Sequence, residues 1–287
     1  MIRRPMIAFF VFAYALTWIP TALILLATQF GILAANAPVA SVAGRLISFG
    51  PAIAALIVTA VVAGRVGVGQ LLRRVVQGRV GLRWYLIVLA GVPAAFLLGA
   101  SLLFGGAPFR ASAGQWQTAL ILYLPTVVVA ALTTGLGEEM GWRGFALPRL
   151  QLRYGPLVAT LILGILWGLW HAPNIVFQHM GPQTFGLFLL ETLGDAFILT
   201  WVYNNTRGSL LLVILLHAVQ DKTFGILGLL MPSMTIDQGY LLFIVVDSVA
   251  LLVILALTRG TLSYDARRIG RSSAPDLEPA IQRSARR

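Results

Sequence analysis

The stretch "TVVVAALTTGLGEEMGWRGFAL", Thr126 to Leu147, decides the fold. Its first half is apolar, and its second half carries two adjacent carboxylates, Glu138 and Glu139, followed by Arg143. If the helix ended at Gly137, the glutamates would be ordinary loop residues. Read as one helix, the 22 residues rise roughly 33 Å at 1.5 Å each. That spans a hydrocarbon layer about 30 Å thick. Pro125 suits the first turn of such a helix, and Pro148 cannot sit comfortably deep inside one. The charges then fall near mid-membrane, where each costs several kcal/mol unless it is paired or faces water. The chain has only 10 acidic residues in 287, so two side by side at that depth need a reason.

The rest of the chain agrees with the membrane reading. It is 58% hydrophobic and 11% charged, against roughly 45–50% and 25% for a soluble domain. The long apolar runs do not alternate as strands would. An all-α fold follows: a polytopic membrane helical bundle of about eight transmembrane helices, occupying 1–258. The spans are expected near 6–27, 46–64, 84–104, 119–147, 157–177, 184–203, 209–230 and 240–258. Gly, Pro or polar punctuation marks their ends, as in "GRVGVGQ", "RYGP" and "NNTRGS". The first run is longer than a usual signal core and reads as a retained helix. Residues 259–287 form a basic tail expected to be disordered.

The net charge of +11 points to topology and anionic headgroups rather than nucleic acid. Seventeen of the 20 Arg fall on one side, including the 65–83 loop and the tail, against Arg45 and Arg110 on the other. That places the protein in a cell membrane with both termini cytoplasmic. The segment "QLLRRVVQGRVGLRWYL" reads as a basic amphipathic helix on that surface. There is no cysteine, so no disulfide or thiolate site exists.

Glu139 and Arg143, four apart, can pair on one helix face. Glu138 points about 100° away and must find its partner on another span. Two spans offer one. "LILGILWGLWHAPNIVF" holds Trp167 and His171, and "GSLLLVILLHAVQDKTFG" holds His217 and Asp221 on one face. Gly137, Gly141, Gly164 and Gly168 permit close helix approach. Counted from the cytoplasmic ends, Glu138 and His217 lie about 14 Å deep and His171 about 21 Å, which one cavity can accommodate. Plainer readings exist for each: a packing histidine, a buried ion pair at Glu139 and Arg143, Lys222 neutralising Asp221, His179 as a loop residue. Glu191 and Asp195, like Asp247, read as a polar seam. One unpaired carboxylate and two imidazoles on three helices nevertheless converge as a candidate site.

A carboxylate in such a cavity can act as general base on a water, with nearby donors holding an oxyanion. Alternatively Glu138, His171 and His217 would be three ligands of a zinc ion with one open position. The sequence has no His-Glu-x-x-His and no Gly-x-Ser-x-Gly, which removes the usual zincin and serine-elbow sites.

Three motifs in order resemble the CAAX-protease and bacteriocin-processing (CPBP, or ABI) family of intramembrane proteases. They are "EEMGWR", "WGLWH" from Trp167 to His171, and "HAVQD", spread over about 120–225. The resemblance implies an endopeptidase acting on membrane-associated or peptide substrates. It implies Glu138 activating water, His171 assisting, and His217 with Asp221 forming the oxyanion site. Glu139, Arg143 and Trp167 would be structural or orienting. A cofactor would be either none or one divalent metal, zinc foremost. Asp221 departs from the more useful Asn, since an ionised carboxylate accepts hydrogen bonds and cannot donate them. The rivals are a proton-coupled transporter, which would show paired broken helices, and a non-enzymatic immunity or scaffold relative.

Overall fold

The structure is a computed structural model describing residues 4–34, 46–173 and 180–266. Helices dominate and no strand occurs among the described residues. The elements are α1 (Pro5–Gln29), α2 (Gly50–Val75), α3 (Leu82–Leu103), α4 (Ala113–Ala130), α5 (Leu136–Gly141), α6 (Leu147–Trp170), α7 (Pro182–Asn205), α8 (Leu210–Leu230) and α9 (Ile236–Thr258). Wide π turns at Ala131–Gly135 and Trp142–Ala146 join α4, α5 and α6 into one run of 58 residues, Ala113–Trp170. Among the described residues, seven continuous helices are long and apolar enough to cross a membrane. The chain is a polytopic membrane bundle.

The long run is two crossings rather than one. Gly155 has φ 74° and ψ 170° inside it, a conformation open to glycine and strained for other residues. Pro156 follows and disfavours a helical residue before it. The chain reverses there. Trp142 comes back against Trp170 with ring centroids 5.8 Å apart, although 28 residues separate them. Counting this reversal, the described residues hold eight such helical segments, consistent with the expected number.

Two expectations about this run need correction. Pro125 lies inside α4, which starts at Ala113 under a capping box between Ser112 and Gln115. Pro148 does not stop the descent, because the π turn before it shifts the hydrogen-bond register and the helix continues to the Gly155 break. Glu138 and His171 therefore stand 17 and 16 residues from Gly155, roughly 25 Å along each arm. The 7 Å mismatch in depth expected from an end at Leu147 disappears.

α2 also breaks, at Gly64 (φ 61°, ψ −161°), the end expected for the second span. A Cβ on Gly67 would lie 3.1 Å from Thr59 Cγ2, so the arm 65–75 folds back sharply. Arg74 on this arm is not a headgroup charge, as the basic run suggested. It is 2% exposed. Its Nε donates to Gly208 O and its Nη1 to Gly144 O, both at 3.0 Å, and Nη2 donates to Tyr203 Oη. Gly144 O is the carbonyl that Pro148, lacking an N–H, cannot engage four residues on. The expected amphipathic helix is interrupted at 76–81.

Glycine contacts then pull the bundle together. A Cβ on Gly137 would sit 2.7 Å from Ser48 O, and one on Gly141 2.6 Å from Pro51 O, so α5 meets the start of α2 backbone to backbone. Gly164 and Gly168 fit against Leu193 and Leu189 of α7. The first helix joins the core rather than standing apart: Phe9 stacks on Phe145 at 4.9 Å, and Tyr14 Oη donates to Leu166 O at 2.5 Å. The bundle also extends past Thr258. Leu262 is fully buried and its carbonyl accepts from Asn204 Nδ2 at 3.0 Å, so the start of the expected tail is packed. The rest of that tail, like His179, Arg3 and Arg45, lies outside the described residues.

Candidate active site

The reversal at Gly155 brings "EEMGWR" on α5 level with "WGLWH" at the end of α6, and α8 closes the third side. Glu138 and Glu139 share one turn, so their side chains leave in different directions. Each builds its own half of the site.

Glu138 is buried, and its Oε2 accepts from Trp167 Nε1 at 2.6 Å. His171 Nε2 lies 3.8 Å from the same oxygen. The other ring nitrogen, Nδ1, is 3.0 Å from Trp167 O. A carbonyl oxygen only accepts, so Nδ1 carries the proton. In the neutral ring Nε2 then offers a lone pair toward Glu138. Two acceptors thus face each other across a gap too long for a direct bond.

Glu139 Oε1 accepts from Arg143 Nη1 and His217 Nδ1, each at 2.8 Å. Glu139 and Arg143 are completely buried. The expected pair therefore has a third member: it also holds His217, whose Nε2 is left free. Arg143 spreads over the Trp167 ring, its Cζ 4.3 Å from the centroid. That contact ties the two halves together, since the same indole binds Glu138.

Asp221 is the sequence-expected residue that the structure brings to the cavity but does not bond to His217. It pairs with Lys222 at 2.9 Å, and its side chain is 42% exposed. It lines the cavity mouth but makes no hydrogen bond to His217, although i,i+4 spacing puts both on one face. Lys222 neutralises it, as one of the plainer readings held.

The three residues open onto a cavity of about 540 Å³. Sequence reading missed several of its walls. Gln220, three residues after His217 on the same face of α8, was findable by helical spacing. Phe188 and Tyr240 come from α7 and α9 and carry no local signal. Glu191 and Asp195, expected as a seam facing water, line this cavity. Among the described residues, no three His, Asp or Glu side chains gather as a metal-ligand set. His217 turns Nδ1 to Glu139 and His171 turns Nδ1 to Trp167 O, so each keeps Nε2 unbonded.

Two comparisons bear on this site. Residues 118–223 match the family model described as type II CAAX prenyl endopeptidase Rce1-like. The chain is 32% identical over 179 residues to "CAAX prenyl protease 2" of Methanococcus maripaludis, covering 58% of this chain. It spans 64% of that relative's length. Both show the family resemblance read from the three motifs, and the family match encloses every residue described above from Glu138 to Asp221.

Proposed function

We propose, from the Rce1-like core at residues 118–223, that the chain is an intramembrane endopeptidase. It hydrolyses peptide bonds of membrane-associated or peptide substrates. The observation that carries this reading is the pair of facing acceptors, Glu138 Oε2 and His171 Nε2, 3.8 Å apart. A water between them gives one hydrogen to each. Its lone pairs are then directed away from both, toward a substrate carbonyl in the cavity.

Glu138 takes a proton from the water as the oxygen attacks the carbonyl carbon. The carbonyl π electrons move onto oxygen, and His217 with both nitrogens protonated donates Nε2–H to that oxyanion while Glu139 holds Nδ1–H. Collapse breaks the C–N bond, and the proton on Glu138 passes to the leaving amine. Trp167 and Arg143 position these groups. No step is routed through a metal.

A cell membrane with cytoplasmic termini and anionic headgroups completes the proposal, supported by the arginine asymmetry. The relative's name makes a prenylated CAAX peptide the first substrate class to assay. The test is cleavage of such a peptide, and of unprenylated apolar peptides, by the purified chain in proteoliposomes. Glu138→Gln should lower turnover by about 10²–10⁴-fold or more, the usual cost of a lost general base, with an unchanged melting temperature. Cleavage by that variant within threefold of wild type would remove Glu138 from the role.

A further inference from the structure

The cavity has a second polar wall that the proposed hydrolysis leaves unused. Glu191 and Asp195 are one turn apart on α7, and both line the cavity. Asp247 of α9 closes on Asp195 from behind, near enough that a Cβ on Gly194 would lie 3.3 Å from its Oδ2. Among the described residues, one side-chain donor reaches Glu191, Thr192 Oγ1 at 3.3 Å from its Oε2. Asp195 accepts from Gln220 Nε2. Carboxylate oxygens accept hydrogen bonds, and each can take more than one. The wall holds more acceptors than it can satisfy from within.

Gln220 shows the surplus independently. Its amide nitrogen faces Asp195, and its Oε1 has no partner, on a side chain only 2% exposed that lines the cavity. Asp247 Oδ2, on a side chain 3% exposed, also lacks a partner. A seam that only joined α7 to α9 would close its acceptors on one another. Arg143, the buried cation of the site, is already engaged by Glu139. Among the described residues the three carboxyls do not form a metal-ligand set.

Aromatic rings border this wall. Phe188 lies 5.9 Å from Tyr240, and Tyr240 lies 5.3 Å from Phe224, between ring centroids. Phe188 also meets the His171 ring edge-on at 5.1 Å. Ring faces attract cations, and carboxylates bind guanidinium or ammonium through short charge-assisted bonds.

We propose that Glu191, Asp195 and Gln220 form a subsite for one cationic side chain, Arg or Lys, of the substrate peptide, beside the Phe188 ring that touches His171. The multiple N–H groups of the cation bond the carboxylate oxygens of Glu191 and Asp195 that line the cavity. The subsite rests on the endopeptidase reading for its place in catalysis and selects which peptides are cut.

The test uses the Glu138→Gln chain in detergent, so that binding is read without turnover. Fluorescein-labelled apolar 12-residue peptides carry a single Arg moved one position at a time, each paired with its citrulline counterpart, which has the same shape and no charge. At one position Arg should bind at least fivefold tighter than citrulline, and adding Glu191→Gln with Asp195→Asn should bring that preference below twofold. Glu191→Gln alone, at the less buried carboxyl, serves where the combined variant does not fold, and should at least halve the preference. No position with a twofold preference overturns the subsite, as does a preference that survives the substitutions. A retained Arg preference in a wild-type chain that cleaves none of these peptides overturns the endopeptidase reading and leaves the subsite standing.

Discussion

Glu139 Oε1 stands 2.8 Å from His217 Nδ1, on another helix, as well as from Arg143 Nη1 on its own. One buried oxygen therefore fixes both a cation and an imidazole. Glu139→Gln replaces that charge with an amide and leaves Arg143 buried without its counter-ion. The loss should be about 3–5 kcal/mol, as for other broken buried pairs, seen as a lower melting temperature in detergent together with lost cleavage. An unchanged melting temperature would show that the pair adds nothing to folding.

Asp221 gives the opposite expectation. Bound to Lys222 and 42% exposed, it takes part in an ion pair worth about 0–1 kcal/mol. Asp221→Asn should change turnover by less than roughly fivefold, the equivalent of 1 kcal/mol, and leave its pH profile unmoved. A hundredfold loss would place this carboxyl at the oxyanion after all.

Arg74 is a structural clamp on three carbonyls and the Tyr203 hydroxyl. Hydrogen bonds to a charged group contribute about 1.5–3 kcal/mol each, so Arg74→Ala should cost at least roughly 3 kcal/mol of stability. Arg74→Lys should not restore it, because an ammonium lacks the planar fork that reaches several acceptors at once. Full rescue by lysine would mean that charge alone matters here.

Metal dependence separates the two chemistries open to Glu138. Dialysis against a strong chelator should leave peptide cleavage intact, and elemental analysis of the purified chain should give far less than one zinc per protein. Loss of activity that stoichiometric zinc restores would reverse this reading, since ligation ties activity to metal occupancy.

Topology is read with fusions. A phosphatase joined after Arg287 should be inactive, and a fluorescent protein at the same point bright, if the arginine-rich side is cytoplasmic. The reverse pattern would invert the bundle.

Much of the site was legible because its signals are local. The i,i+4 spacing of Glu139 and Arg143, the glycines at 137 and 141, and the rarity of acids in an apolar chain all survive translation into three dimensions. What failed was whatever required a partner on another helix. His217 and Asp221 share a face, so spacing joined them, yet Glu139 approaches from α5 and takes the imidazole. Arg74 sits beside Arg73 in a basic run, and nothing in that run reveals that Pro148 has left a carbonyl for it. Pro148 itself reads as a stop, because propensity alone cannot anticipate the π turn that accommodates it.

The reversal at Gly155 turns the site into a ruler with two arms of nearly equal length. An inserted residue in either arm would swing everything beyond it by about 100° and lift it about 1.5 Å, carrying Glu138 or His171 out of the other's reach. Lengthening both arms by whole turns would move carboxylate and imidazole together and keep their spacing. A bundle of this design can adapt to a thicker bilayer only through paired changes, one on each side of the same glycine.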